Sequence, residues 1–290
     1  MRSETHSRSR TSIGLTVSRT FLSFLSMVFL FSFLILLSLY LTLFSGSYLN
    51  KQAEGADYYA NLTEEINKQI ENTALGSNIP VGVLSDAVTE AQVKEDVSAY
   101  FTAMYDKEEE FAITNEQAVR DSVIAKVNQY AATNNIDVTE ETQNAIQLLA
   151  DRSVELYDGY VELPFLLSFA NRVIGYKSKL ILFMAVCGGL CVVLSLILFS
   201  SLRGYVHRLF RYWGFIFAGG GLMMIGMPVV ILISGVLKRL GIQSKAMYTF
   251  VQTYLASFLW LFIIIGIIAL VLGIFFAVLS ENQRKRMFRQ

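Results

Sequence analysis

The chain has 290 residues, of which 53% are hydrophobic and 17% charged, with a formal net charge of zero. Charge this sparse, against ~25% in soluble domains, argues against a wholly soluble protein, and no nucleic acid is expected as a partner. The zero total conceals two opposed parts: residues 45–176 hold 22 acidic and 8 basic side chains, and the remainder holds 2 acidic and 16 basic.

In chain order, residues 1–20 form a basic tail carrying Arg2, Arg8, Arg10 and Arg19. Residues 21–44 then run without a charge. Crossing ~30 Å of hydrocarbon at ~1.5 Å per residue takes about 20 apolar residues, so this is the first expected span. The run exceeds the ~7–15 apolar residues of a signal peptide and reads as an uncleaved anchor. The next segment, 45–178, is acidic and polar. Within it, Thr89 with Gln92 and Thr114 with Gln117 have capping-box spacing, Ser or Thr followed three residues on by Glu or Gln. Thr139 precedes Glu140 and Glu141, acids placed to complement a helix N-terminus. Behind these starts, Val93, Val97, Phe101 and Met104 form one apolar stripe; Val119, Val123 and Val127 form a second, and Ile146, Leu149, Ala150 and Leu156 a third. A further helix is expected around Leu62, Ile66 and Ile70, and Asn134-Asn135 is placed to stop a helix in the left-handed region. Gly76 to Leu84 breaks the pattern and reads as either a loop plugging the helical core or a short strand. Leu163-Pro164 is expected to open the helix entering the second span. The segment contains no cysteine, so its stability has to come from a packed core rather than from disulfides.

Three further uncharged runs complete the membrane pattern: 180–202, within an expected span of 179–202, then 212–237 and 254–280. They are separated by a basic turn, 203–211, and a short loop, 238–253, and are followed by a basic tail, 281–290. Lys and Arg favour the cytoplasmic side of short loops. The two tails and the 203–211 turn must share a side and are all basic; only the loop with Lys238, Arg239 and Lys245 dissents. Both termini are therefore expected in the cytoplasm of a cell membrane, with 45–178 on the opposite side. The fold class that follows is all-α: a four-helix transmembrane domain with an extracytoplasmic helical bundle inserted between the first and second spans.

No motif points to catalysis, a cofactor or a metal site. Asp106 to Glu110 is the densest acidic cluster, but it lacks the alternating ligands and turn glycine of a calcium loop and reads as a solvated surface. Cys187 and Cys191, four apart on one helix face, read as small packing residues. Gly214 and Gly221 lie seven apart in the third span, and Gly266 and Gly273 repeat the interval in the fourth. With Gly219, Gly220 and Gly226 they suggest a packing seam between these two helices or with a partner, since small residues let backbones approach in lipid. The rival reading is a helix broken by the triple glycine and Pro228, as at transporter midplane sites, but these spans contain no ionisable residue to serve one. Arg203, His207, Arg208 and Arg211, interleaved with aromatics, form a turn suited to anionic headgroups or to docking of a cytoplasmic partner.

The order of one span, an outer domain and three more spans resembles the layout of the FtsX-like and MacB-like membrane subunits of ABC systems. That resemblance lies in topology and implies a permease-like subunit coupled to a cytoplasmic ATPase. The second-to-third connection of that layout carries a longer coupling segment than the ten or so residues present here. The reading the residues favour is a non-enzymatic scaffold, sensor or accessory subunit of a bacterial cell-envelope complex, with the lipid bilayer and a membrane or envelope protein as partners.

Overall fold

The structure is a computed structural model that describes residues 4–105, 111–163, 170, 172–202 and 206–287. It is all-helical, 85% helix, with no strand among the described residues. In chain order the helices are α1 (Glu4–Leu43), α2 (Gly46–Gly55), α3 (Tyr58–Leu75), α4 (Glu90–Tyr105), α5 (Glu116–Thr133), α6 (Glu140–Val161), α7 (Lys177–Ser201), α8 (Val206–Ser234) and α9 (Lys245–Met287). A 3-10 turn, Val236–Arg239, lies between α8 and α9. Four helices, α1, α7, α8 and α9, are long and apolar enough to cross a membrane.

Their limits exceed the uncharged runs. α1 begins inside the basic tail, and α9 extends beyond its apolar run at both ends, so residues 245–253 of the expected loop and 281–287 of the expected tail are helix. The physical reason is that hydropathy stops at the first charge whereas a helix does not: Lys, Arg, Glu and Gln are good helix formers. α8 stops earlier than its apolar run, at Ser234, because Gly235 takes a left-handed φ of 68° and ends the helix there. Pro228 sits inside α8 without interrupting it, so the triple glycine does not break this helix. The acidic cluster 106–110, Pro164 and Arg203 lie outside the described residues.

The chain divides into two compact units. One comprises Met1–Leu43, Tyr176–Leu237 and Ala256–Gln290; the other comprises Phe44–Gly175 and Lys238–Leu255. The second unit is built around α3, whose Tyr58, Tyr59, Leu62, Ile66, Ile70 and Ala74 are buried along one face. Against it pack the stripe of α4, with Val93, Val97 and Phe101 fully buried, and the aliphatics of α6, on which the valines of α5 pack in turn. The segment after α3 is a loop. Asn67 fastens it by a reciprocal pair, its Nδ2 donating to the Val88 carbonyl and its Oδ1 accepting from the Val88 N–H, each at 2.9 Å. Leu84 and Val88 thereby enter the core.

Of the three helix starts expected in this unit from Thr89, Thr114 and Thr139, two follow local chemistry and one does not. Thr139 Oγ1 accepts from Thr142 N–H and caps α6. Gln92 accepts from Thr89 N–H at 2.9 Å, the back-bond of a capping box. Thr114 and Gln117 do not form the expected box. Gln117 Nε2 donates to Asp121, and Thr114 turns to Asp96 instead. A charged acceptor makes the stronger bond, which explains the preference. Asn135 takes the left-handed conformation expected of a helix stop, with φ 52°.

The first unit has a different construction. α1 packs along α7 and α8, with Leu30, Leu198, Leu202, Leu209 and Ile216 buried among them. Ser23 and Ser26 are buried on the same helix; Ser23 Oγ donates to the Tyr212 carbonyl at 3.5 Å, and Ser26 Oγ lies 3.6 Å from Cys191 Sγ. The remaining large apolar side chains of α1 are mostly half-buried, and many of those on α7 and α8 are exposed, Met227 and Ile233 among them.

Candidate functional site

In the second unit a polar cleft of about 510 Å³ is lined by Glu64, Glu65, Lys68, Gln69 and Tyr160, and closed by Gln243, Ser244 and Lys245. Its position follows from α3, which presents buried residues on one face and these charged residues on the other. Glu65 holds the start of α9: its carboxylate accepts from Ala246 N–H at 2.9 Å and from Ser244 Oγ at 2.8 Å. A carboxylate satisfies N–H groups that have no partner within the helix and complements the positive end of its dipole. Ser244 Oγ also accepts from Met247 N–H, completing the cap. Lys245 reaches Glu64 at 3.4 Å.

Behind this cap, the first turns of α9 enter the core of the second unit. Phe250 is 3% exposed and packs on Tyr58 and Phe101, with ring centroids at 4.8 and 5.9 Å. Met247, Val251 and Tyr254 lie beside it. These four residues recur at i, i+3, i+4 and i+7, the spacing of one helix face. The stripe was present in the sequence, but the three basic residues around it mark the segment as a loop when spans are sought by absence of charge.

A second polar centre lies between α4 and α6. Asp96 is buried and accepts four hydrogen bonds: from Thr114 N–H (3.0 Å) and Oγ1 (2.7 Å), from Asn115 N–H (3.3 Å) and from Tyr157 Oη (2.7 Å). Burial raises its carboxyl, but the bonds from Thr114, Tyr157 and Asn115 outweigh this and hold it below the usual carboxylate range. Tyr157 is pushed far up by burial and by Asp96. Asp158 beside them is raised to about 6 by burial and by Glu116, Glu162 and Asp96. Asp96 thus acts as a structural hub, tying the start of α5 to α4 and α6. Among the described residues no group of three or more His, Cys, Asp or Glu side chains is placed to hold a metal ion.

In the first unit the glycines of α8 fall on two faces. Gly214 and Gly221 meet α9: a Cβ on Gly214 would lie 3.2 Å from the Gly273 carbonyl oxygen, and one on Gly221 would lie 2.6 Å from that of Gly266. A Cβ on Gly273 would lie 2.5 Å from Ala218 N. The repeated interval of seven therefore places backbone against backbone. Gly219 and Gly220 instead face Met27 and Leu30 of α1, and a Cβ on Gly226 would meet nothing within 4 Å. Of the basic turn, His207, Arg208 and Arg211 lie on the first turns of α8; Arg208 and Arg211 are exposed, and the His207 carbonyl accepts from Ser280 Oγ of α9.

No protein-family model, curated protein or solved structure matches the chain. Fold and composition define its class: a helical protein with four helices apolar enough to span a membrane.

Proposed function

We propose that the chain is a non-enzymatic, multi-pass protein of a bacterial cell membrane, acting as a sensor or accessory subunit of a cell-envelope complex. In this reading both termini and the 203–211 turn are cytoplasmic, as their Arg and Lys content favours. The second unit lies outside and engages a partner protein at its polar cleft. The observation that carries the reading is that the cleft is walled by the first turn of α9, one of the four helices of spanning length. Glu65 and Phe250 grip that turn, so a partner seated against Lys68 and Lys245 bears directly on a helix that continues into the apolar run.

The test is purification of the full chain in mild detergent, with and without Lys68→Glu and Lys245→Glu. Expected is a membrane or envelope protein that accompanies the unaltered chain and is lost from the double variant while the chain still folds. A reproducibly solitary chain overturns the reading, and a cytoplasmic ATPase as the accompanying protein favours the permease-like layout instead. The orientation is tested separately: a membrane-impermeant label applied to intact cells reaches cysteines placed between residues 60 and 160.

A further inference from the structure

A groove of about 340 Å³ runs between α8 and α9, rimmed by the exposed Phe215 and Ile274 over the buried Gly214 and Gly273, with Arg211 and Glu281 at one end. Its depth in a bilayer follows from the sequence. Arg211 is the last residue before the uncharged run 212–237, and Glu281 is the first after the run 254–280. The mouth therefore lies at the edge of the hydrocarbon and the rest of the groove within it. From Arg211 to Ala218 it extends about 10 Å at 1.5 Å per residue, inside one leaflet of a ~30 Å core.

The mouth is cationic. Glu281 is the one acidic residue after position 176, and it is already engaged: Arg284 donates to it at 2.9 Å, and Lys285 Nζ lies at 4.0 Å. The charges of Arg208, Arg211 and Arg284 all act on the His207 ring, and Ser280 Oγ ties α9 to the His207 carbonyl at 2.5 Å. Arg211 itself is exposed and makes no ion pair or hydrogen bond among the described residues. A guanidinium without an anion thus stands at the mouth of an apolar groove, in the positive field of its neighbours.

We propose that this groove seats one acyl chain of an anionic phospholipid, with the phosphate of its headgroup on Arg211. Depth and charge together select the occupant: it has to be apolar along the groove and anionic where the hydrocarbon ends. A soluble protein reaches the mouth alone. A partner helix would need an acidic residue beside this rim, on the side of the membrane where Lys and Arg prevail, and the buried glycines are already taken up by the contact between α8 and α9. The inference rests on the reading of α8 and α9 as spans, which fails separately if the chain is soluble without detergent, and it is independent of the partner at the polar cleft.

The experiment is native mass spectrometry of the full chain in detergent, with phosphatidylglycerol or phosphatidylcholine of identical acyl chains added. Expected is one phosphatidylglycerol retained per chain in preference to phosphatidylcholine, a preference that Arg211→Gln lowers about fivefold, as one basic side chain near an anionic headgroup contributes. Arg10→Gln in the basic tail, an equal change of charge, should leave it intact; an equal loss there makes the attraction diffuse and overturns the site. Phe215→Ala with Ile274→Ala removes both exposed rims of the groove and should weaken retention of the two lipids alike, and undiminished retention overturns the placement of the chain. Glycerol phosphate at the concentration of the lipid carries the charge without the chain and should not displace it; displacement overturns the role of the groove. Equal retention of the two lipids by the unaltered chain, or a bound protein in place of any lipid, overturns the proposal without recourse to a variant.

Discussion

The two units solve the same packing problem with opposite means. In the second, large side chains are removed from contact with solvent altogether: Tyr58, Phe101 and Tyr157 are fully buried, and the aliphatic stripes of α3, α4, α5 and α6 close around them. In the first, many bulky apolar residues stay on the surface, and the helices meet through a small cluster of buried leucines with Ile216, through serines, and through glycines that bring backbones together. A unit surrounded by water gains by burying apolar area, at ~25 cal/mol per Å². Helices surrounded by hydrocarbon gain nothing that way and must rely on close backbone approach. The composition of each interface is therefore a record of the solvent its unit expects.

The largest break in this contrast comes from Phe101→Ala. Phe101 joins α4 to Tyr58 of α3 and Phe250 of α9, and truncating a buried aromatic costs about 3–5 kcal/mol. Hydrogen exchange on the detergent-solubilised chain should show protection lost across α3, α4 and the first turns of α9, with α7 and α8 unchanged. Asp96→Ala comes next, at about 3 kcal/mol, because it strands the Thr114 and Asn115 N–H groups and the Tyr157 hydroxyl where water does not replace the acceptor. Its loss of protection should centre on the start of α5. Asp96→Asn, which keeps the shape and one acceptor, should recover part of it.

In the first unit the equivalent test adds atoms rather than removing them. Gly221→Leu forces a side chain against the Gly266 carbonyl and the Leu270 backbone, and overpacking of this kind costs about 1–3 kcal/mol. A disulfide engineered between the α8 and α9 faces should form more slowly in that variant. Gly226→Ala, with open space around it, should be neutral or slightly stabilising, since Ala is the better helix former. The interval of seven thus separates glycines that matter from one that does not.

Much of this was legible in the residues. The spans, the helical stripes, the Thr139 cap and the glycine interval of seven all express a period or a spacing that local sequence carries. What was not legible depended on distant partners. Nothing near Thr114 says that its hydroxyl will prefer Asp96, eighteen residues away, to its own helix. The entry of Phe250 into the second unit was masked by charge: Lys238, Arg239 and Lys245 surround a stripe whose helical period was present but short. Glu65 could not be told from the other acids, because its role comes from meeting the start of α9 across 181 residues. Among the glycines the spacing pointed to a seam but not to its pairs: only packing sets Gly214 against Gly273 and Gly221 against Gly266, and separates Gly219 and Gly220, which face α1, from Gly226.

The smallest expected effect is a dependence on pH that should divide the units. The uncharged runs of the first unit hold no Asp, Glu or His, so the packing within those runs, as distinct from the His207 end of α8, should be flat between pH 4 and 8. Asp158 of the second unit is different. No donor among the described residues reaches its buried Oδ1, and burial together with Glu116, Glu162 and Asp96 raises its carboxyl to about 6. The folded state then holds a proton that the unfolded chain has released above about 3.8, so stability falls as pH rises between these values and stays lowered above 6. Because Asp158 is only half-buried, solvent screening limits the loss to about 1 kcal/mol rather than the full value of the shift. Asp158→Asn, which cannot ionise, should raise the stability of the second unit at pH 7 by that amount and leave it unchanged near pH 4. Asp96 runs the other way: its depressed carboxyl contributes above pH 4, and that contribution is lost only as acid protonates the folded state. Thermal unfolding of both variants from pH 4 to 8 separates the two carboxyls, and a slope that survives Asp158→Asn would assign the titration to another group.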